Sequence, residues 1–293
     1  MFHTARIFQS GDNNAKIRHH GEEFKAYTIS LASSDSSGKN TCPRAMPRNR
    51  IQRFLDQGKD LEWIRGYAHE RGLSMCSLSC VLWEGGHGRT DHVRDARINL
   101  TNWYYEDRKS FRAALLAEAE SIERNRGSYR IACRPDTDSD IKFEKTIPQM
   151  FAFDWDWYDY TKLPERLRDK PDNYHLTYSV NDGTTKQDLR LVYRAKANIC
   201  VVFDSLWNPQ WDKYGYLPAT YKDALGRVWP VIDGDQSDFR FLDPAGVCVG
   251  LRLKAGLDAK DNARESEFSV PVDDHRWDTL HPADAPVNHY IAA

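Results

Sequence analysis

The segment Asn198-Ile199-Cys200-Val201-Val202-Phe203 decides the fold class of this chain. It is almost continuously apolar, which is typical of a strand buried on both faces of a parallel sheet. The preceding residues, Thr185–Ala197, have the pattern of a crossover helix, and a strand-like run, Tyr174–Val180, comes before that helix. Two buried strands joined by a helix predict a parallel βαβ unit, and therefore an α/β fold.

Similar apolar runs on both sides of this unit extend the pattern. They are Phe24–Leu31, Tyr129–Cys133, Trp155–Tyr160, Val228–Ile232 and Val247–Leu253. Pro230 lies inside one of them and predicts an edge strand, because proline cannot donate a ladder hydrogen bond. About six or seven strands that alternate with helices favour a complete or partial (β/α) barrel of the TIM type over a small open sheet.

Changes of composition along the chain indicate one domain with a segment at each end. Residues 1–22 are polar and rich in His and Asn, as expected of a loose arm or an irregular edge, and residues 273–293 are expected to form a C-terminal tail. We expect a single barrel-like domain over residues 23–272. Within it, the apolar spacing of residues 48–72 predicts two short helices separated near Gly58.

The overall charge and apolar content exclude several functional classes. The 293 residues carry 41 Lys or Arg and 43 Asp or Glu, a formal net charge of −2. No global positive field therefore attracts nucleic acid, although this composition is compatible with a local basic groove. No window approaches the roughly 20 apolar residues of a membrane span, and the N-terminus lacks the apolar core of a signal peptide. The six cysteines are therefore expected to be reduced thiols or metal ligands of a cytoplasmic protein.

Three of the cysteines are candidate metal ligands. Cys76 and Cys80 lie in Met75-Cys76-Ser77-Leu78-Ser79-Cys80, and Cys42 lies upstream in Asn40-Thr41-Cys42-Pro43. Thiolates bind soft or borderline metals, so three of them could hold a four-iron cluster with one iron left open. A zinc site would need a fourth ligand, for which His87 and His92 are close in sequence. Cysteines that act as small apolar residues are the alternative.

A glycine-rich segment, Gly85-Gly86-His87-Gly88-Arg89, follows the cysteine pair. Gly85, Gly86 and Gly88 would let the backbone approach a ligand, and Arg89 precedes a helix that is predicted to begin near Thr90. Consecutive N–H groups ahead of a helix can bind an anion, so Gly85, Gly86, Gly88 and Arg89 are candidate cofactor-binding residues. A flexible turn between loop and helix is the competing interpretation.

Two acidic segments follow predicted strands, at the ends where parallel α/β folds bind ligands. They are Asp136-Thr137-Asp138-Ser139-Asp140 and Asp233-Gly234-Asp235-Gln236-Ser237-Asp238. In the first segment, Asp136, Asp138 or Asp140 could hold a substrate or act as a base. In the second, Asp233, Asp235 and Asp238 could bind a cation or orient Arg240. Helix capping and turn formation are the common roles of such residues. His175 lies within a predicted strand, where successive side chains point to opposite faces of the sheet. Its side chain could therefore point into a barrel lumen or into a hydrogen-bonded core.

Several segments together resemble the gene-product-88-like proteins of phages and bacteria, whose cysteine motif is similar to that of radical S-adenosylmethionine enzymes. The segments, between about residues 25 and 272, are Cys42-Pro43, 76–80 with 86–89, 94–111, 134–144, 158–162, 174–179, 200–203 and 233–244. The resemblance implies a TIM-barrel-like fold and one cluster on Cys42, Cys76 and Cys80. Two features depart from these patterns. Residues 43–75 separate the first two cysteines, so the helical piece at 48–72 looks like an insertion relative to the family. In the radical-enzyme spacing C-x3-C-x2-C, Trp83 occupies the position of the third cysteine.

The resemblance favours a radical-S-adenosylmethionine-like enzyme of the cytoplasm, or of the host cytoplasm if phage-encoded. Its cofactors would be a [4Fe-4S] cluster and S-adenosylmethionine, and Asp138, His175 or Asp235 would meet the substrate, an unknown small molecule, nucleotide or nucleic acid.

One alternative is a nucleic-acid-binding or host-interaction module with a structural zinc or no metal. Its basic-aromatic surface would comprise Arg89, Arg94, Arg97, Arg108, Trp103, Tyr104 and Tyr105. Another alternative is a metal-dependent hydrolase or base-exchange enzyme that uses the two acidic segments.

Overall fold

Seven parallel strands lie at the centre of a ten-stranded sheet in the computed structural model, which describes residues 6–80, 90–204, 217–253 and 268–272. The predicted α/β fold is therefore confirmed. The strands are β1 (Gln9–Ser10), β2 (Phe24–Thr28), β3 (Arg130–Arg134), β4 (Asp156–Thr161), β5 (Tyr174–Ser179), β6 (Ile199–Asp204), β7 (Thr220–Lys222), β8 (Val228–Asp233), β9 (Cys248–Arg252) and β10 (Val270–Pro271).

The strand order across the sheet is β1-β2-β3-β4-β5-β6-β9-β8-β7, with β10 paired to β6. Strands β2 to β6 follow one another in sequence order and in parallel, as successive strands do in a (β/α) barrel. Strand β9 lies between β6 and β8, and the short strands β1 and β7 add antiparallel to β2 and β8. Strand pairing among the described residues does not close this sheet into a barrel.

The helices connect and cover these strands. In the described residues they are α1 (Ser34–Ser37), α2 (Arg48–Asp56), α3 (Leu61–His69), α4 (Asp91–Glu106), α5 (Arg108–Asn125), α6 (Phe143–Thr146) and α7 (Lys186–Ala195). Short 3-10 turns form at Arg18–His20, Cys76–Ser79, Pro148–Ala152, Pro164–Leu167 and Arg240–Leu242. None of the described helices combines the length and apolar character that crossing a membrane would require.

Helix α7 is the predicted crossover between β5 and β6. Its start is fixed by a capping box, in which Thr185 Oγ1 accepts from the Asp188 N–H and the Asp188 carboxylate accepts from the Thr185 N–H. Leu189 and Val192 are buried against the sheet, as the apolar face of a covering helix must be. The helix ends at Lys196, whose φ of 53° turns the chain into β6.

Aromatic rings fill the core between the sheet and its helices. Trp155 and Trp157 stack at the start of β4 with ring centroids 5.0 Å apart. Tyr104 of α4 packs edge-on against Phe111 of α5 at 5.3 Å and against Phe143 at 5.5 Å. Helices α4 and α5 therefore bury their ring-bearing faces against this side of the sheet.

The loop after β8 crosses the other face of the sheet and connects its two ends. Phe239 packs on Phe24 of β2, with ring centroids 5.1 Å apart, and on Tyr158 of β4 at 5.8 Å. In the same region Lys16 Nζ, before β2, lies 2.9 Å from Asp235 Oδ1, after β8. Since β2 and β8 are near opposite ends of the strand order, the sheet must curl to bring these residues together.

Two local expectations from the sequence are modified by the structure, and a third is confirmed. Strand β8, which contains Pro230, is not an edge strand, because β7 pairs with its otherwise open side. The arm at residues 1–22 is an edge rather than a loose segment where it is described, since β1 pairs with β2 and Ile7 and Ile17 are buried. The two helices predicted on either side of Gly58 are confirmed as α2 and α3, with Gly58 at a φ of +75° between them.

Candidate functional site

The loop that carries Cys76 and Cys80 is attached to the C-terminal end of β5. Asp182, three residues after that strand, accepts hydrogen bonds from Ser74 Oγ at 2.5 Å and from the Met75 N–H at 2.6 Å. Ser74 Oγ in turn accepts from the Cys76 N–H at 3.0 Å. The 3-10 turn Cys76–Ser79 thus begins directly on the edge of the sheet where parallel α/β folds place their ligands.

Cys42 is held at the same edge through the loop that follows β3. The Thr41 carbonyl accepts from the Asp140 N–H at 2.8 Å, and Thr41 Oγ1 donates to the Ala32 carbonyl at 2.9 Å. The Cys42 N–H donates to Ser34 Oγ at 2.8 Å, beside the first turn of α1. Both loops that bear candidate ligands therefore lie over the C-terminal ends of β3 to β5.

Backbone pairing closes the long interval between Cys42 and Cys76. The Ser74 N–H donates to the Arg44 carbonyl at 2.7 Å, and the Met46 N–H donates to the Ser74 carbonyl at 2.8 Å. Ala45 and Ser74 form a parallel bridge, so the chain returns to its starting point after α2 and α3. The two ends of the helical segment therefore meet at this bridge. Cys42 and Cys76 each lie within three residues of the bridge.

Lys162, the residue after β4, is in the electrostatic field of all three cysteines. Burial opposes its positive charge, but neighbouring negative groups outweigh burial and raise the pKa of Lys162, in the order Cys76, Asp140, Cys42 and Cys80. The Lys162 N–H donates to Asp140 Oδ2 at 2.7 Å, which fixes its backbone beside the Cys42 loop. Burial also raises the pKa of the Cys42 thiol, with Cys76 adding to the effect and Lys162 opposing it.

The candidate ligands do not form a ready-made site for a single metal ion. Across the described ranges, no group of three or more His, Cys, Asp and Glu side chains is arranged to hold one. Thiolates on one zinc would lie only about 3.8 Å apart, given bonds of roughly 2.3 Å in a tetrahedron. His92, the candidate fourth zinc ligand within the described residues, is exposed on α4.

A buried arginine gathers the acidic residues beneath this site. Arg166 Nε and Nη2 donate to the two oxygens of Glu144, each at 2.9 Å. Its Nη1 lies 2.5 Å from Asp140 Oδ1 and 3.2 Å from Asp136 Oδ2. Burial raises the pKa of Asp136 well above its usual range, opposed by Arg166 and reinforced by Asp159. These carboxylates already have a cation, and they hold the loop after β3 in place.

The sequence matches the family model of gene product 88 over residues 6–270. The chain belongs to the gene product 88 family. Comparisons with curated proteins and with solved structures found no match. The predicted membership of this family is confirmed, and the match includes Cys42, Cys76, Cys80 and the whole described sheet except the last residue of β10.

Within this gene product 88 protein, the three candidate catalytic residues lie in different places. Asp138 is in the loop after β3, where its Oδ2 lies 3.4 Å from Arg97 Nη1 of α4. Asp235 follows β8 and is flanked by Lys16 at 2.9 Å and by Arg252 at 3.3 Å. His175 lies at the N-terminal end of β5, the opposite edge of the sheet, and burial lowers its pKa. The four candidate cofactor-binding residues, Gly85, Gly86, Gly88 and Arg89, lie outside the described residues.

The surfaces predicted for the two alternative functions, on α4 and in the acidic segments, gain no support from the described geometry of this family member. Trp103 and Tyr104 are buried, 7% and 1% exposed, so the predicted basic-aromatic surface on α4 cannot offer them to nucleic acid. Arg97 is also buried, against Asp138. The acidic segments are paired with arginines rather than open to a cation, as Arg252 illustrates with Asp233 at 2.9 Å.

Lys162 and Asp182 are site residues that the sequence reasoning missed. Each follows the C-terminal end of a strand that the sequence predicted, and that position was itself a signal. A single lysine and a single aspartate in turns carry a weaker sequence signal than a cluster of acidic residues. Asp182 is identified by its hydrogen bonds to the Cys76 loop, and Lys162 by its electrostatic interaction with the cysteines, both of which depend on the tertiary structure.

Proposed function

We propose that this protein is an iron–sulfur enzyme of the radical S-adenosylmethionine type, with its cluster on Cys42, Cys76 and Cys80. The observation that carries the proposal is the backbone bridge between Ala45 and Ser74, because it joins two distant cysteine segments at the C-terminal edge of a parallel sheet. A thiol that acts only as a small apolar residue has no need of such an arrangement. The three remaining cysteines, in β3, β6 and β9, are buried in strands and act as core residues.

We also propose that the sheet is a partial barrel, with the cysteine loops over its mouth. The succession of β2 to β6 supports this, as do the side-chain links between the two ends of the sheet. One of these links joins His20 Nε2 to Ser237 Oγ at 3.0 Å, and His20 also stacks on Phe239 at 4.8 Å. In such a barrel the loops after the strands share one face, where substrates bind.

Each residue of the site has a defined part in this proposal. A four-iron cluster held by three thiolates keeps one iron for S-adenosylmethionine and supplies the electron that cleaves it. Cys42, Cys76 and Cys80 hold the cluster, and Asp182 holds the loop that carries two of them. Lys162 places a fixed positive charge against the negative charge of the thiolates. Asp138 and Asp235, at the same edge of the sheet, are the candidate substrate contacts, and the substrate class is a small molecule or nucleotide.

Anaerobic reconstitution tests this proposal directly. We expect about four iron and four sulfide per chain, and a brown protein whose reduced form gives a paramagnetic signal. Cys42→Ser, Cys76→Ser and Cys80→Ser should each reduce the iron content. Cys200→Ala is the matched control, because Cys200 is buried in β6 and should leave the iron content unchanged. A colourless, iron-free protein after reconstitution would refute the cluster.

Lys162→Met tests the electrostatic part of the proposal. Loss of a positive charge near a cluster disfavours its reduced form, so the reduction potential should fall. Charges about 4–10 Å apart at an effective dielectric constant near 20 interact by roughly 2–4 kcal/mol, which corresponds to a fall of about 90–170 mV for one electron. Lys162→Arg keeps the charge and should stay close to the parent potential. Equal potentials in Lys162→Met and in the parent would show that Lys162 is not a counter-charge.

A further inference from the structure

The helical hairpin formed by α2 and α3 carries an aromatic patch, which we define as the exposed Trp63 and the half-buried Phe54 and Tyr67. Trp63 is 42% exposed, an unusual position for the largest apolar side chain. Its ring lies nearly parallel to that of Tyr67, with centroids 5.6 Å apart and an interplanar angle of 20°. Phe54 packs edge-on against both, at 5.3 Å from Trp63 and 5.0 Å from Tyr67. The patch is therefore a fixed platform rather than three independent side chains.

Cationic side chains surround this aromatic patch. Lys59 Nζ lies 4.8 Å from the centroid of the Trp63 ring, and the guanidinium carbon of Arg71 lies 3.7 Å from that of Tyr67. Arg50 is 5.2 Å from the same Tyr67 ring and donates to its hydroxyl at 2.5 Å. Cation–π contacts of this kind hold positive charges over the ring faces.

The charge of the hairpin differs in sign from that of the whole chain. Residues 48–72 contain six Lys or Arg and four Asp or Glu, a formal charge of +2, whereas the chain as a whole carries −2. Three of the four acids have local partners. Asp60 caps α3 by accepting from the Trp63 N–H at 2.8 Å, Asp56 accepts from Gln52 Nε2 at 2.9 Å, and Glu70 pairs with Arg71 at 3.2 Å. Three of the six cations, Arg50, Lys59 and Arg71, lie over rings of the aromatic patch.

We propose that the hairpin α2–α3 is a binding site for single-stranded nucleic acid. A base would stack on the exposed part of Trp63 and displace the Lys59 ammonium from the ring. Lys59, Arg50 and Arg71 would then contact the phosphates that connect the bases. Positive grooves with stacking aromatics are how proteins bind single strands without sequence preference. Duplex nucleic acid fits poorly, because its bases are already stacked and cannot cover an exposed indole.

The hairpin is connected directly to the loop that carries Cys76. Its own small core comprises Met46, Ile51, Ile64, Ala68 and Met75, and the last of these immediately precedes Cys76. A strand bound on the hairpin would accordingly be held next to the cysteine loops at the C-terminal edge of the sheet. The inference stands on the patch alone, and it holds whether or not those cysteines carry a cluster.

Fluorescence anisotropy with the full-length protein and labelled 20-nucleotide oligothymidylate or oligouridylate tests the site. We expect Trp63→Ala to weaken binding about 5- to 150-fold, the range for one stacked base, and Trp63→Phe to retain part of it. Lys59→Ala should lower the slope of log affinity against log salt by roughly one contact. Val228→Ala, which trims a 47% exposed side chain of β8, and Arg168→Ala, an exposed cation outside the hairpin, should bind like the parent.

Three results would overturn the proposal. The first is no binding of either oligonucleotide at low salt by the parent protein. The second is unchanged affinity in both Trp63→Ala and Lys59→Ala, each shown by circular dichroism to be folded like the parent. The third is binding to a duplex of equal length as tight as to the single strand, because that would exclude base stacking as its source.

Discussion

Replacement of Arg166 by methionine tests whether the acidic loop after β3 is architectural. Arg166 is 2% exposed and is the cation shared by Asp136, Asp140 and Glu144. Its Nη2 also donates to Tyr174 Oη at 3.1 Å. Methionine has a similar apolar stem, so the substitution removes the charge and its hydrogen bonds while much of the packing volume stays.

The expected loss of stability follows from the buried charges left behind. Removal of one partner of a buried ion pair costs about 3–5 kcal/mol, because the other charge stays desolvated without compensation. Arg166 serves three carboxylates, which moves the expectation towards the upper end. Burial already raises the pKa of Asp136, so this carboxyl can take up a proton and relieve part of the cost. We therefore expect Arg166→Met to lower the free energy of unfolding by about 4 kcal/mol.

Urea unfolding followed by tryptophan fluorescence measures this change. At a slope of about 3 kcal/mol per molar urea, the midpoint should fall by roughly 1.3 M. Arg168→Met is the control, because Arg168 is exposed two residues away, and its change should stay within about 0.5 kcal/mol. If Arg166→Met lost less than about 1 kcal/mol, or no more than the control, the carboxylates would not depend on this arginine and the reasoning would be refuted.

Two further predictions concern the cysteine loop and the pH dependence of stability. Asp182→Ala removes the acceptor for Ser74 Oγ and the Met75 N–H. It should therefore lower the free energy of unfolding, measured in urea, by about 1–3 kcal/mol and reduce iron incorporation. Full iron incorporation would show that Asp182 does not position the loop. Burial raises the pKa of Asp159 to about 6, partly offset by Arg134, so the folded state binds its proton more tightly than the unfolded chain does. The stability due to Asp159 is thus fully present below about pH 4 and is lost as pH rises through about 6. Asp159→Asn should flatten unfolding free energy against pH in this window, and an unchanged profile would contradict the assignment.

The strands of this fold were predictable because their signal is local. The apolar runs that became β2 to β6, β8 and β9 lie within one or two residues of their observed bounds, except that β2 ends at Thr28 instead of Leu31. The insertion of β9 between β6 and β8 was not predictable, since the run Val247–Leu253 carries no information about its neighbours. Strand β7 was missed for a related reason: it has three residues, too few to show a period, and exists because β8 offers it an open edge.

The candidate site was predictable in its residues and not in its assembly. Cysteine chemistry pointed to Cys42, Cys76 and Cys80 without structural help. Sequence spacing argued against their cooperation, because residues 43–75 intervene. The pairing of Arg44 and Met46 with Ser74 removes that objection, and it consists of backbone hydrogen bonds, which side-chain patterns along the sequence do not encode.

Asp140 shows how one aspartate of the acidic loop connects several parts of the site. Its Oδ1 binds Arg166, its Oδ2 accepts from the Lys162 N–H, and its own N–H donates to the Thr41 carbonyl. One residue therefore links the buried arginine, the lysine that faces the cysteines, and the segment that bears Cys42. Thr161 Oγ1 also donates to Asp140 Oδ1, so three of the roughly four acceptor positions of this carboxylate are occupied, which leaves little capacity for a substrate or a cation. The acidic loop therefore affects the cysteine site indirectly, because Asp140 fixes the positions of Lys162 and of the segment that bears Cys42.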